Sequence, residues 1–191
     1  MKNKKIVFAT GNSNKLKEVK YAIKSFEVIG LKDLGITEEI PETGTSLKEN
    51  ALLKAKYIYD KTGLDCFSDD TGLEIEALNN RPGVYSARYA GGECNEEDNM
   101  QKVLKELVNS RNRTAVFKTV MALILKGKEY FFEGLISGKI LKEKRGTAGF
   151  GYDPIFKPDG HVETFAEMKI NLKNKISHRG KAIKKLVEFL N

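Results

Sequence analysis

Ile6-Val7-Phe8-Ala9-Thr10-Gly11-Asn12-Ser13-Asn14-Lys15 decides how the fold begins. Its first four residues form an apolar run that reads as a buried strand. Past the small polar turn, Leu16, Val19, Ile23 and Phe26 fall three or four apart. That spacing gives one apolar face and predicts a helix from about Asn14 to Ser25. Strand, polar turn, lysine and helix together can hold a phosphate, because the first amides of a helix lack intrahelical acceptors and Lys15 adds charge beside them. The loop is not a Walker A sequence, which needs GxxxxGK followed by Ser or Thr, and it is not GxGxxG. Taken alone, it also fits a plain turn in which Asn12 and Asn14 act as capping residues.

Outward from this stretch, strands and helices alternate. Ser46 and Glu49 have capping-box spacing, Leu47, Ala51, Ala55 and Ile58 form one helix face, and Gly63 ends it. Leu64 to Ser68 reads as a strand that stops at Asp69-Asp70. A third helix fits Asn95 to Val108, with Met100, Val103, Leu104 and Leu107 inward. Val116 to Leu125 is a long apolar strand, Lys126-Gly127-Lys128 a turn, and Glu129 to Ser137 the returning strand of a hairpin. Thr164 and Glu167 again have capping-box spacing. A last helix, about Ser177 to Leu190, buries Ala182, Ile183, Leu186, Val187 and Leu190. Helices between strands early and a hairpin late predict an α/β domain with a mixed sheet and flanking helices. No repeat or linker interrupts residues 1–191, which read as a single domain.

Composition narrows the function. The chain has 191 residues, 40% of them hydrophobic and 31% charged, with a net charge of +7. No run approaches a membrane span, and Met1-Lys2-Asn3-Lys4-Lys5 leads into too short an apolar stretch for a signal peptide. Cys66 and Cys94 have no metal-ligand spacing and read as reduced thiols of a cytoplasmic protein. The positive charge suits an anionic partner. It gathers at Lys2, Lys4 and Lys5 and again at Lys169, Lys173, Lys175, Arg179, Lys181, Lys184 and Lys185. Most of these lysines read as solvated helix surface, and no Arg/Gly/aromatic repeat of an RNA-binding tail is present.

Three further segments carry chemistry. Asp69 and Asp70 in Ser68-Asp69-Asp70-Thr71-Gly72 are adjacent carboxylates, which are costly to place together unless a cation or water lies between them. Mg²⁺ prefers such oxygens and keeps several waters. Glu42, in Pro41-Glu42-Thr43-Gly44, is a third candidate ligand. An exposed turn capping the strand is the plainer reading of the acid pair. In Gly149-Phe150-Gly151-Tyr152-Asp153-Pro154, the glycines let backbone approach a flat ligand, Phe150 can stack on a base, and Asp153 can accept a hydrogen bond from it. The alternative is a core aromatic cluster, with Tyr152 its clearest member. In Ser177-His178-Arg179-Gly180, His178 and Arg179 stand at a positive helix end and suit an anion or a carbonyl oxygen. His161, in a polar loop, is given no role.

These pieces resemble one family, the inosine triphosphate pyrophosphatases, also called non-standard purine NTP pyrophosphatases, and more specifically its bacterial members. The matching segments are residues 10–15, Glu49-Asn50-Ala51-Leu52-Leu53-Lys54-Ala55, residues 68–73, Arg81-Pro82-Gly83-Val84-Tyr85-Ser86-Ala87-Arg88-Tyr89-Ala90-Gly91, residues 149–156 and residues 177–180. The resemblance implies an elongated α/β structure of two lobes around a central nucleotide cleft, and a cytoplasmic homodimer without nucleic-acid or membrane partners. The implied reaction is Mg²⁺-dependent hydrolysis of ITP, dITP or XTP to the monophosphate and pyrophosphate.

The resemblance also assigns residues. Thr10, Gly11, Asn12, Ser13, Asn14 and Lys15 would hold phosphates. Asp70 would accept the proton and, with Glu42 and Asp69, bind magnesium. Lys54 and Lys173 would contact the triphosphate or nearby groups. Thr71 would contact substrate, and Phe150, Gly151, Tyr152, Asp153, His178 and Arg179 would do so mainly around the base. A relative directed at modified pyrimidine nucleotides is disfavoured by the Phe150–Asp153 and His178-Arg179 segments. An RNA-binding module is disfavoured by the paired Asp69-Asp70.

Overall fold

Side chains alternate across a strand, and β1 (Lys4–Phe8) shows this in the computed structural model, which describes residues 4–191. Met1, Lys2 and Asn3 lie outside the described residues, and with them the Lys2 of the basic start. Ile6 and Phe8 enter one apolar cluster, while Val7 and Ala9 enter another. β2 (Phe26–Gly30) pairs parallel with β1, placing Val28 opposite Ile6, and β3 (Cys66–Ile75) pairs parallel on the other side, placing Cys66 opposite Val7.

The described strands also include β4 (Arg81–Gly83), β5 (Thr114–Leu125), β6 (Lys128–Ile140) and β7 (Phe156–Pro158). They form one sheet in the order β2-β1-β3-β5-β6-β7, with β4 paired to β3. β4 on β3 and β7 on β6 are antiparallel, so the sheet is mixed, as the late hairpin predicts. Lys126 and Gly127 turn that hairpin with φ values of 50° and 74°, the left-handed pair that a two-residue hairpin favours.

Three predicted boundaries move. α1 (Ser13–Ala22) ends before Phe26, which belongs to β2. The Val28-Ile29 run gains a parallel ladder there that a longer helix would forgo. β3 does not stop at Asp69-Asp70 but runs through them to Ile75, because cations on both faces compensate the acids, as set out below. The Thr164/Glu167 bonds form, Thr164 N donating to the Glu167 carboxylate at 2.8 Å, but they close a turn. The helix that follows, α4 (Ile170–Ile176), escapes the apolar pattern because one of its buried positions is Lys173.

The chain divides into two compact units. The first comprises the chain up to Asp70, Thr119–Gly134 and Arg179–Asn191. On one sheet face, Ile6, Phe8, Phe67, Met121 and Leu123 pack on Val19 and Ile23 and on Ala182, Ile183 and Leu186 of α5 (His178–Leu190). On the other, Val7, Ala9, Cys66, Ala122 and Ile124 pack on Ala51, Ala55 and Ile58 of α2 (Leu47–Thr62). Phe8 and Phe67 stack at 4.7 Å between centroids. Each such burial contributes about 1.5–3 kcal/mol. Ser46 and Gly63 cap α2 as their residue types predict, Ser46 Oγ accepting from Glu49 N and Gly63 turning left-handed at φ 66°.

The second unit comprises Thr71–Lys118 and Leu135–His178. Its core gathers Leu73 and Ile75, Met100 and Val103 of α3 (Glu96–Glu106), Phe117, Phe156 and Phe165. Asn95 caps α3 by accepting from the amides of Glu97 and Asp98.

Candidate active site

Because β3 continues through the acid pair, Asp69 and Asp70 leave the strand on opposite faces. Asp69 follows Phe67 onto the α1/α5 side, and Asp70 follows Cys66 and Ser68 onto the α2 side. Asp69 is 1% exposed and Asp70 6%. Adjacent in sequence, they therefore meet different partners.

The Asp69 face is balanced. Arg179 donates from Nε to Asp69 Oδ2 at 3.1 Å, and its Nη2 lies 3.1 Å from the same oxygen. Its Nη1 donates to Glu18 at 2.7 Å. Lys15 Nζ lies 3.1 Å from Asp69 Oδ1. Two acids thus face two bases. Burial pushes the Asp69 carboxyl up, but Lys15 and Arg179 outweigh it and hold it well below the usual range. Burial opposes charge on Arg179 too, yet Asp69 and Glu18 hold its pKa above the ordinary value. For Lys15, burial prevails over Asp69 and pulls the pKa down.

The loop before α1 caps its own helix. Asn12 Oδ1 accepts from the amides of Asn14 at 2.9 Å and Lys15 at 3.0 Å, and Thr10 Oγ1 accepts from Asn12 N at 3.2 Å. The capping role of Asn12 is therefore realised. Gly11, Asn12 and Ser13 stay exposed at the loop surface, while Thr10, Asn14 and Lys15 are half-buried.

The Asp70 face is arranged differently. Lys54, reaching in from α2, forms an ion pair with Glu42 and lies 3.8 Å from Asp70 Oδ1, so two carboxylates share one ammonium. Asn50 Nδ2 donates to Asp70 Oδ2 at 3.2 Å, and Ser68 Oγ donates to the Ala51 carbonyl. Burial raises the Asp70 pKa, and Lys54 and Lys15 do not fully offset it. Lys54 is pulled the other way: burial disfavours its charge, but Asp70 and Glu42 prevail and raise its pKa.

Among the described residues, no group of three His, Cys, Asp or Glu side chains is gathered as a ready metal cage. The Glu42/Asp70 pair still suits a hard divalent cation, which needs only one or two carboxylates when water and phosphate complete its shell.

In the second unit, Asp153 is 4% exposed and turns its carboxylate inward. Oδ2 accepts from Phe150 N at 2.8 Å and from Lys173 Nζ at 2.6 Å. A Cβ at Gly149, where φ is 78°, would fall on this carboxylate, so the tight loop requires glycine there. Lys173 also lies 5.0 Å from the Phe150 ring centroid, within cation–π range. Gly151 follows Phe150 with φ 59°. Tyr152 is buried and donates its hydroxyl to the Ser86 carbonyl at 2.7 Å, matching the core alternative for this residue. His178 is 3% exposed and stacks on Phe117 with ring centroids 4.6 Å apart. Thr71, next to Asp70 along β3, is half-buried.

Two buried polar residues escape the sequence reading. Asn50 joins Asp70, and Glu18 joins Arg179. Asn50 carried a signal, lying three residues after Leu47 at the edge of the apolar face of α2, whereas Glu18 falls off the Leu16/Val19/Ile23 stripe and carried none. A polar residue on such a stripe needs a buried partner.

Comparison with known proteins finds relatives along almost the whole chain. A curated protein of Flavobacterium johnsoniae named dITP/XTP pyrophosphatase is 52% identical over 187 residues, covering 97% of each chain. One of Christiangramia forsetii with the same name is 53% identical over 188 residues, covering 98% of this chain and 99% of its own. The solved Ham1 proteins of Staphylococcus aureus and Coxiella burnetii superimpose with TM-scores of 0.87 and 0.88, each 39% identical and covering 98% of both chains. The sequence model described as the Ham1 family matches residues 6–189. Sequence identity, the family match and the full-length superposition agree, and the chain belongs to the Ham1 family.

Proposed function

We propose that the protein is a nucleoside-triphosphate pyrophosphatase that hydrolyses dITP, XTP and ITP to the monophosphate and pyrophosphate. One observation carries the reading: two carboxylates, the buried Asp70 and the half-buried Glu42, converge on the Lys54 ammonium, an oxygen pair of the kind a hard divalent cation takes beside phosphate. The full-length similarity to proteins named dITP/XTP pyrophosphatase supports the substrate class.

In this reading Asp70 accepts the proton of the water that attacks the α-phosphorus. Glu42 and Asp70 would hold Mg²⁺, which when bound supplies charge neutralisation and acidifies coordinated water. Lys54 orients both carboxylates and offers its remaining protons to phosphate. The exposed Gly11 and Ser13 backbone and the Ser13 hydroxyl would donate to phosphate oxygens, with Lys15 adding positive potential. Asp69 serves as the anchor of Lys15 and Arg179. In the second unit, Phe150 offers a stacking surface, and the Asp153–Lys173 pair fixes the loop that presents it.

Selectivity follows from donor and acceptor patterns. Hypoxanthine and xanthine present a 6-oxo acceptor and an N1–H donor, and adenine presents the reverse. Donors aimed at O6, from His178 or backbone amides, would be left unpaired against adenine, a mismatch worth roughly 10⁴-fold in a well-built polar site, while Arg179, expected at the base, is committed to Asp69 and Glu18. The same reading makes the protein a cytoplasmic homodimer acting in a single catalytic domain. No helix among the described residues is long and apolar enough to cross a membrane.

The test is pyrophosphate release from ITP, XTP, dITP, ATP, GTP and modified pyrimidine triphosphates, with and without Mg²⁺. Metal-dependent turnover of the 6-oxo purines well above ATP is expected. Equal rates on ITP and ATP would refute the selectivity, and a monomeric mass at micromolar concentration would refute the dimer.

A further inference from the structure

The loop that carries Glu42 has no regular structure of its own, yet Glu42 must stand at a defined distance from Asp70 for the two to act together. Asn50 supplies the link. Its side chain is 0% exposed. Its Oδ1 accepts from Gly44 N at 2.8 Å, two residues beyond Glu42. Its Nδ2 donates to Asp70 Oδ2 at 3.2 Å.

The orientation of this amide is determined rather than free. A backbone N–H is only a donor, so the oxygen of Asn50 must face Gly44. The amide nitrogen then has to face the Asp70 carboxylate. One rigid group on α2, one turn before Lys54, thus joins the Glu42 loop to the acid on β3. Gly44 is shaped for the contact: a Cβ there would sit 2.7 Å from Asn50 Oδ1 and 2.7 Å from the Glu49 Cβ. Glu49 pins the next residue, accepting from Thr45 N at 2.7 Å and Thr45 Oγ1 at 2.9 Å.

We propose that Asn50, with Gly44, is the positioning device of the active site, setting the spacing of Glu42 and Asp70 that divalent-cation binding and turnover require. The inference deepens the pyrophosphatase reading and rests on it for the turnover arm only. Partners that orient metal-binding carboxylates typically change affinity or activity by about 10–100-fold when removed.

Three readouts test it in the full-length protein. The first is hydrogen exchange of the Gly44 amide by NMR. The second is Mn²⁺ affinity without nucleotide, read by electron paramagnetic resonance. The third is kcat and KM for dITP at saturating Mg²⁺. In Asn50→Ala, the Gly44 amide should exchange at least about 10-fold faster, Mn²⁺ affinity should fall about 10–100-fold, and kcat should fall more than KM rises. Gly44→Ala changes no residue of α2 but crowds Asn50 Oδ1 and the Glu49 Cβ from the loop side, and it should weaken Mn²⁺ binding and kcat in the same way, which keeps the test alive if Asn50→Ala does not fold. Unchanged Gly44 exchange in Asn50→Ala would overturn the link. Faster exchange with unchanged Mn²⁺ affinity and kcat in both variants would make the link merely structural and overturn the positioning role. A wild-type protein that binds Mn²⁺ but releases no pyrophosphate would defeat the pyrophosphatase reading, while exchange and Mn²⁺ affinity would still decide the role of Asn50.

Discussion

The two faces of β3 carry neighbouring aspartates to opposite ends. On one face Asp69 and Glu18 pair with Arg179 and Lys15, and Asp69 is held ionised. On the other, Asp70 and Glu42 share Lys54, and Asp70 is harder to ionise than a free aspartate. The first arrangement joins α1 and α5 to the sheet through ion pairs, and the second is the one proposed above to meet metal and phosphate. The pair teaches that adjacency in sequence says little about function until the strand's alternation is known.

The strongest way to break the comparison is through turnover. Asp70→Asn should lower kcat by about 10²–10⁴-fold, the usual share of a positioned base. Asp69→Asn should retain measurable turnover wherever the protein is folded. Steady-state pyrophosphate release from the two variants makes this check, and equal losses would erase the distinction.

Stability reverses the order. Asp69→Asn leaves Lys15 and Arg179 with one buried acid between them, and breaking such a pair costs about 3–5 kcal/mol. Urea unfolding at neutral pH should show that loss. The pH dependence follows. Asp69 has a folded pKa below its ordinary 3.8, so its stabilisation is present above that value and fades as pH falls through the lower folded one. Asp70, raised from 3.8, contributes in the opposite sense without divalent metal: its contribution is full below 3.8 and is lost as pH rises through the folded pKa. Acid unfolding of Asp69→Asn should therefore be less steep than that of the wild type.

The smallest expected effect lies in the second unit. Tyr152→Phe removes the hydroxyl bond to the Ser86 carbonyl and leaves that acceptor buried, a loss of about 1 kcal/mol with turnover nearly intact. A large loss of turnover without a loss of stability would instead put Tyr152 at the substrate.

Much of this was legible in the sequence, and the exceptions share a cause. Helix α2 showed its inward face through Leu47, Ala51, Ala55 and Ile58, and the hairpin showed its turn through Lys126-Gly127. The mixed sheet followed from where helices and hairpin fell. The course of β3 past Asp70 was not legible, because two adjacent carboxylates look like a surface turn until Lys15, Arg179 and Lys54 arrive from distant parts of the chain. Helix α4 was hidden by the same effect, with Lys173 at a buried position where a leucine would have revealed it. Local pattern reports apolar burial well. It does not report ion pairs closed over long sequence separations, such as Arg179 with Asp69.

The most direct test is the melting temperature of Asp70→Asn against wild type and Asp69→Asn, at neutral pH without divalent metal. Asp70→Asn should melt at or above the wild type while Asp69→Asn melts well below it. If Asp70→Asn is instead the less stable of the two variants, the Asp70 face is a structural one, and the division of labour between the two aspartates is wrong.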